Sequence, residues 1–268
     1  MTTAIAAAKR VIRGLLPPKV MMKHIVASEM KHGEAELLLL DRLCDKDSAT
    51  VDVGANLGIY SYVASRYAGR VFALEPVPDM VDWLRKTAPV NVTVMPVAAS
   101  DSEGRHTLYI PSIGGVVFNT RASLRRDANP DAELRPIEIK TMPLDNIDFG
   151  RVGFLKIDVE GHEGAVLRGA ANLLRRDRPA IQIESEERHT QDAVASTVRF
   201  LAGFGYRGYF WRDGLHPVAH FDKDRDQRLE NWREGGWSKH AYINNFLFFH
   251  PEGRDVLARF PVATELAA

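Results

Sequence analysis

The sequence contains a single cysteine, Cys44, in 268 residues. A lone cysteine cannot form an internal disulfide, and it excludes a zinc site built from several thiolates. The chain also lacks the run of about 18 apolar residues that a membrane-spanning helix needs. Its apolar N-terminal run, Ala4–Ala8, precedes the first basic residues, which reverses the order found in a signal peptide. We therefore expect a soluble, cytoplasmic protein.

Neither sign of charge is in excess, because Lys plus Arg and Asp plus Glu number 35 each. Proteins that hold nucleic acid through bulk charge need a clustered cationic excess. We therefore expect no nucleic-acid partner. The content of 45% hydrophobic and 26% charged residues indicates a globular protein, and the length suits one large domain.

The order of elements predicts an α/β fold. From Ala49 onward, short apolar segments alternate with helical ones, which is typical of a parallel sheet with helices on both faces. Strands are predicted at Ala49–Val53, Arg70–Leu74, Val92–Pro96, Val152–Asp158 and Ala180–Glu184, and helices at Ile59–Ala68, Pro78–Thr87, Glu163–Arg175 and Asp192–Phe204. Five strands in this order indicate a doubly wound core, and Tyr242–Phe249 is predicted to be a last buried strand.

Two segments fall outside this alternation. Residues 1–45 are predicted to form a helical arm or cap, with one helix at Ser28–Leu43, ahead of a main domain at 46–268. Residues 1–31 carry six cations and one anion. This arm either packs on its own domain or on a second subunit of a homodimer, or contacts an acidic membrane surface. The other segment is a β insertion at about 102–143, placed where a substrate lid could be built.

A glycine-containing turn follows the first predicted strand. Gly54 allows the chain to turn, and Gly58 lets the helix start approach a ligand through its unpaired N–H groups. A dinucleotide fingerprint has a further glycine where this chain has Asn56, which disfavours a nicotinamide-dependent oxidoreductase. Glu75 ends the second strand region, where a carboxylate can accept ribose hydroxyls. Asp52 is placed to meet a cationic group of the same ligand.

Acidic and histidine side chains follow the fourth and fifth predicted strands, which lie next to the glycine turn. They are Asp158, Glu160, His162, Glu184 and His189. Such groups can remove a proton from an acceptor hydroxyl. Asp158, Glu160, His162 and His189 are the candidate catalytic residues, and Asp158 with Glu184 would suit Mg²⁺. Trp211, Trp232 and Trp237, with the charged run Asp222–Glu234, either flank the acceptor pocket or pack in the core.

The motifs in this region resemble a known family. The segments Leu155–Glu163, Leu167–Ala170 and Arg178–Glu184 are similar to the FkbM methyltransferases, and the turn with Glu75 resembles the S-adenosylmethionine site of Rossmann-like methyltransferases. The resemblance implies a Rossmann-like class I fold with a seven-stranded sheet whose last strand is antiparallel. It also implies methyl transfer from S-adenosylmethionine to oxygen on a sugar, glycan or natural product.

The resemblance further implies roles for single residues. Asp52, Gly54, Asn56 and Gly58 would face the methionine end of the cofactor, Glu75 and Pro76 the ribose, and Ala99, Ser100 and Asp101 the adenine. Asp158 is a further candidate for cofactor binding, because the end of the fourth strand lies at the ligand crevice beside the first strand. Two alternatives stay open: a non-catalytic cofactor-binding or dimerising protein of the same fold, and the oxidoreductase. A methyltransferase that acts on the bases of nucleic acid is disfavoured, because Asp158-Val159-Glu160-Gly161 stands where its Pro-Pro-aromatic loop would be.

Overall fold

A computed structural model describes residues 16–119, 122–128, 131–188, 191–228 and 242–260. The helices are α1 (Pro18–His32), α2 (Leu40–Leu43), α3 (Ile59–Ala64), α4 (Pro78–Thr87), α5 (Glu163–Arg168), α6 (Ala171–Asp177), α7 (Ala193–Ala202) and α8 (Lys223–Asp226). The strands are β1 (Ala49–Val53), β2 (Arg70–Leu74), β3 (Val92–Met95), β4 (Ala98–Ala99), β5 (Gly104–Ile113), β6 (Val116–Val117), β7 (Glu133–Met142), β8 (Val152–Ile157), β9 (Ala180–Glu184), β10 (Arg207–Trp211), β11 (Leu215–Pro217) and β12 (Asn245–Phe249). None of the described helices is both long enough and apolar enough to cross a membrane.

The larger sheet has the order β11-β10-β12-β9-β8-β1-β2-β3. Strands β9, β8, β1, β2 and β3 pair in parallel, and β12 runs antiparallel between β9 and β10. This arrangement confirms the predicted Rossmann-like α/β fold. The strand count differs, since the described part of the sheet has eight strands where seven were expected. The additional one is the short edge strand β11, which forms a hairpin with β10.

The reversal of strand order beside β1 positions the site. Strands β1 and β8 are neighbours, and β2 lies on the other side of β1. The carboxyl ends of these three parallel strands therefore meet at one edge of the sheet, where ligands bind in open α/β folds. β1 and β8 are buried along their whole length, and their polar side chains, Thr50, Asp52 and Lys156, are buried as well.

The N-terminal helix differs from the prediction. Helix α1 begins at Pro18, where the missing N–H of proline costs nothing because first-turn N–H groups have no partner in the helix. It ends before Gly33, so Ser28–Leu43 is not one helix but the end of α1, a 3₁₀ turn and α2. The buried side chains Met22 and Val26 pack in one cluster with Val63 of α3. Residues 18–43 therefore cap their own domain, whereas the contacts of residues 1–15 lie outside the described residues.

The helix predicted at Glu163–Arg175 is two helices, α5 and α6. A Cβ at Gly169 would lie 1.9 Å from the carbonyl oxygen of Ser100, so the chain passes too close to that loop to carry a side chain. The second helix then has its own cap, because both carboxylate oxygens of Asp145 accept N–H bonds from Asn172 and Leu173 at 2.9 and 2.8 Å. The break comes from tertiary contacts that the helical pattern does not reveal.

The insertion supplies three strands of a second sheet with the order β4-β7-β5-β6, whose strand β4 lies just before the insertion. Its main pair is the antiparallel ribbon of β5 and β7, as predicted for this region. One face of the ribbon is apolar, and Leu108, Ile110 and Ile139 bury it against Val77, which follows β2. The insertion is therefore fixed over the carboxyl end of β2, on one side of the crevice.

Candidate active site

The turn after β1 brings three strand ends together. Gly54 has φ +79°, and a Cβ there would lie 1.8 Å from the carbonyl oxygen of Asp158. Only glycine allows β1 and β8 to end this close to each other. The backbone N–H groups of Gly54 and Ala55 both donate to the carbonyl of Leu74, each at 3.0 Å, and this ties the turn to β2.

Glu75 lies at the centre of this turn and points inward. Its side chain is 4% exposed, and its two carboxylate oxygens accept N–H bonds from Asn56 and Val77, each at 2.8 Å. Burial raises the pKa of Glu75 to about 7, although these two N–H donors oppose the shift. Each oxygen keeps a second lone pair, so the carboxylate can still accept hydrogen bonds from a ligand.

A cleft of about 600 Å³ opens above Glu75, and we call it the Glu75 cleft. Its polar base is formed by Gly54, Asn56, Glu75 and Asp158. Apolar side chains form its walls, from the main sheet and from the insertion: Val53, Leu74, Val77, Val97, Leu108, Ala122 and Leu124. A buried carboxylate under apolar walls suits a ligand with a hydroxyl-bearing ring joined to a flat apolar group.

A second cavity of about 710 Å³, which we call the Lys156 pocket, lies on the other side of the turn. It shares Gly54, Asn56 and Asp158 with the Glu75 cleft, so the two cavities meet at these residues. Its other polar lining residues are Glu29, Glu34, Asp52, Tyr60 and Lys156. Four carboxylates therefore face a single ammonium group, and the pocket favours a cationic ligand.

Lys156 is the buried cation of this pocket. Its side chain is 3% exposed, and Nζ lies 3.0 Å from Asp158 Oδ2 and 4.5 Å from the centroid of the Tyr60 ring. Burial disfavours the ammonium, but the carboxylates of Asp158, Asp52 and Glu34 outweigh it and raise the pKa of Lys156. Lys156 therefore stays charged and holds Asp158 at the junction of the two cavities.

The capping segment also contributes to the site. Glu34, between α1 and α2, accepts a hydrogen bond from the Tyr60 hydroxyl at 2.5 Å, and that hydroxyl accepts one from Gln182 of β9 at 2.9 Å. This chain of bonds joins the cap, α3 and the sheet. Asp52 accepts from Ser61 Oγ at 2.6 Å, whereas its buried Oδ1 has no hydrogen-bond partner in the described residues.

Comparison with known proteins identifies the family of this chain. The family model for the methyltransferase FkbM domain matches residues 52–208, which is more than half of the sequence. The chain belongs to the FkbM methyltransferase family. The predicted family is thereby confirmed.

Individual relatives of this FkbM domain were also found. The hexuronic acid methyltransferase AglP of Haloferax volcanii is 32% identical over 150 residues, which are 53% of this chain and 59% of that protein. The chain thus spans less than two thirds of the length of this curated relative. A solved FkbM methyltransferase of Methylobacillus flagellatus is 16% identical with a TM-score of 0.48, over 75% of this chain and 43% of that one. A precorrin-6y C5,15-methyltransferase of Geobacter metallireducens is 15% identical with a TM-score of 0.43, over 79% and 86%.

Most of the predicted cofactor residues of the FkbM domain lie at the two cavities. Gly54, Asn56, Glu75, Pro76, Ala99 and Asp158 line the Glu75 cleft, and Asp52 lines the Lys156 pocket. Gly58 lines neither; a Cβ at this position would lie 2.3 Å from Leu84 Cδ2, so the glycine makes room for Leu84. Ser100 and Asp101 are also outside both linings. The Asp101 carboxylate instead accepts bonds from Nε and Nη2 of Arg168 at 3.0 and 2.8 Å.

Three of the predicted catalytic residues lie together. Asp158, Glu160 and His162 all line the Glu75 cleft. His162 Nε2 is 3.0 Å from Ser100 Oγ, and burial lowers the pKa of this imidazole. The carbonyl of Glu160 accepts a bond from Ser123 of the insertion at 2.8 Å. His189 lies outside the described residues.

The two residues predicted to bind magnesium do not fit a metal site. Asp158 already contacts the Lys156 ammonium, which would repel Mg²⁺. Glu184 accepts a bond from Asn244 Nδ2 at 2.9 Å, and burial together with the charge of Asp158 raises its pKa well above the usual range, which favours the protonated form. Within the described part of the chain, no group of three or more His, Cys, Asp or Glu side chains could hold a metal ion.

Of the three tryptophans predicted either to flank the acceptor pocket or to pack in the core, the structure describes Trp211. Trp211 lies 6.1 Å from Phe260, ring centroid to centroid, and packs in the cluster under the cap, away from both cavities. Trp232 and Trp237 lie outside the described residues. The residues that sequence reasoning missed are Glu34, Tyr60 and Asn119, all of which line a cavity. None belongs to a motif, and only the folded chain brings them to the crevice.

Proposed function

We propose that this chain is an S-adenosylmethionine-dependent O-methyltransferase that acts on a hydroxyl group of a sugar, with a hexuronic acid as the expected acceptor. The observation that carries the proposal is the pair of cavities that meet at Asp158. One is apolar with a buried carboxylate, and the other is acidic. This division matches the two ends of the methyl donor, a nucleoside and a cationic amino acid.

Polar atoms without partners support the fit of this cofactor. Asn56 Oδ1 and Asp52 Oδ1 are buried at the two cavities and have no hydrogen-bond partner in the described residues. A buried polar atom without a partner costs about 1–3 kcal/mol, so both positions favour a ligand that donates hydrogen bonds. Glu75 would hold the ribose hydroxyls, and Asp52 with Glu34 would hold the ammonium group. When bound, the cofactor supplies an electrophilic methyl carbon on a sulfonium sulfur.

In the proposed mechanism, Asp158 accepts the proton of the acceptor hydroxyl. Asp158 lies where the cavities meet, and its side chain is 30% exposed, so an acceptor can reach it. Lys156 orients the carboxylate through Oδ2, which leaves Oδ1 for the substrate. The bound cofactor would supply its methyl group to the acceptor oxygen and leave as the neutral thioether S-adenosylhomocysteine, as its methyl carbon–sulfur bond breaks. Asp158 would take the hydroxyl proton, and a positioned base of this kind contributes about 10²–10⁴-fold to the rate.

The acceptor class is supported by the relative from Haloferax volcanii, which is named for hexuronic acid. A hexuronic acid offers two kinds of oxygen: ring hydroxyls, which need a base, and a carboxylate, which does not. The presence of Asp158 at the junction favours the hydroxyl.

The test uses the full chain with purified ligands. Calorimetry should detect S-adenosylhomocysteine at micromolar concentrations and no binding of NAD, whereas the reverse preference would overturn the cofactor. Methyl-labelled donor should label hexuronic acids more than the matched neutral hexoses. Alkali then distinguishes the product, since a sugar methyl ether survives it and a methyl ester is hydrolysed. An alkali-labile label would show that the carboxylate, and not a hydroxyl, is the acceptor.

The pKa of Glu75 predicts how cofactor binding depends on pH. The ionised carboxylate accepts ribose hydroxyls best, and with a pKa of about 7 it is mostly ionised at pH 8 and mostly protonated at pH 6. The affinity for S-adenosylhomocysteine should therefore rise about tenfold from pH 6 to pH 8. Glu75→Gln has no charge to titrate, so its affinity should be lower at pH 8 and change little with pH. Calorimetric titrations at both pH values measure this, and an equal pH dependence in the variant would show that another group is responsible.

A further inference from the structure

Asn119 of the insertion lies in the Glu75 cleft with an unmet hydrogen-bonding group. Its Oδ1 is buried and has no hydrogen-bond partner in the part of the chain that the structure describes. The residue follows β6, and the backbone around it is held in place. Phe118 N–H donates to the carbonyl of Pro111 at 2.9 Å, and Ala122 N–H donates to the carbonyl of Asn119 itself at 3.2 Å.

The surroundings of Asn119 are mainly apolar. Leu108, Ala122 and Leu124 of the insertion line the cleft with it, and Val77 lines the cleft from the main sheet. These four side chains belong to one hydrophobic cluster. An amide in such a wall offers an acceptor and a donor side by side, which is the pattern that pairs with the 6-amino group and a neighbouring ring nitrogen of adenine.

The residues expected from sequence to lie near adenine do not provide this contact. Asp101 pairs with Arg168, and Ser100 pairs with His162. Neither Asp101 nor Ser100 lines the cleft. Ala99 lines it without a polar side chain. The apolar part of the cleft therefore obtains its polar group from the insertion.

We propose that Asn119 binds the adenine base of the cofactor through the 6-amino group. The insertion then helps to select the cofactor. It would cover the nucleoside, whereas the sequence predicted a lid over the substrate. This inference rests on the proposed function, because it assumes that the nucleoside occupies the Glu75 cleft.

The experiment removes each side of the contact in turn. Two ligands are compared by calorimetry with the full chain: S-adenosylhomocysteine and its purine analogue, in which hydrogen replaces the 6-amino group. Wild-type protein should prefer the first by about five- to tenfold, as expected for one hydrogen bond. Asn119→Ala should bind both ligands within about twofold of each other. Asn119→Asp retains an acceptor for the amino group and should retain the preference.

Asn146→Ala is the matched control, because Asn146 is exposed and lines neither cavity. It should show the wild-type preference. An equal preference in wild type and Asn119→Ala, or no preference in wild type, would overturn the inference while leaving the proposed function intact. No binding of S-adenosylhomocysteine to wild type would instead overturn the proposed function. Thermal melts without ligand identify a variant that fails to fold. If Asn119→Ala does not fold, the ligand preferences of wild type and of Asn119→Asp test the inference.

Discussion

Replacing Asp158 by asparagine is expected to lower kcat by about 10²–10⁴-fold, with a change of less than about threefold in the affinity for S-adenosylhomocysteine. Asparagine keeps the size of the side chain and can still contact Lys156, but its amide oxygen is a very weak base. Asp158 lines both cavities, so a loss confined to kcat would mean that its role is proton removal at their junction.

The measurement combines steady-state kinetics with calorimetry on the same preparation. Asp148→Asn provides the matched control, because Asp148 is exposed and lies in the loop before β8, at the opposite end of that strand from Asp158. Its kcat should stay within about twofold of wild type. Parallel losses of kcat and cofactor affinity in Asp158→Asn would assign the residue to cofactor binding instead. If Asp158→Asn loses its activity and the wild-type product is alkali-labile, the acceptor is a carboxylate and the role of Asp158 is to orient it.

The parts of the fold that were predictable from sequence are those fixed by local chemistry. The bounds of β1, β2, β9 and α4 agree with the predictions, because these strands are short, mainly apolar segments and Pro78 marks the start of a helix. The turn at Gly54 was also predictable, because a residue with positive φ after a strand favours glycine. Glu75 was predictable as its neighbour, because it follows the adjacent strand.

The remaining features depend on contacts between distant segments. Gly169 lies at the break between two helices with the Ser100 carbonyl against it, and Asp101, outside both cavities, pairs with Arg168. Glu34 and Asn119 reach the cavities from segments with no recognisable motif. Sequence reasoning therefore located the crevice and its central acids, whereas the outer walls needed the structure.

Loss of Lys156 should strongly lower the stability of the fold. Lys156→Met replaces a buried ammonium by an apolar chain of similar length and leaves Asp52, Asp158 and Glu34 without their common cation. Breaking a buried ion pair in this way costs about 3–5 kcal/mol. Chemical denaturation should show this loss in the free energy of unfolding. The control is Lys140→Met, which removes an exposed lysine from β7 and should change stability by less than about 0.5 kcal/mol.

The pH dependence of this loss identifies its cause. The pKa of Lys156 is raised in the fold, so the ammonium contributes fully below about pH 10 and is lost only as the pH rises further. Burial raises the pKa of Asp52 and Glu34, and Lys156 opposes that shift. Without Lys156 these carboxyls bind protons in the folded state that the unfolded chain does not hold, so the variant regains stability as the pH falls. The deficit of Lys156→Met should therefore be larger at pH 8 than at pH 5, and a deficit independent of pH would mean that lost packing, and not charge, destabilises the variant.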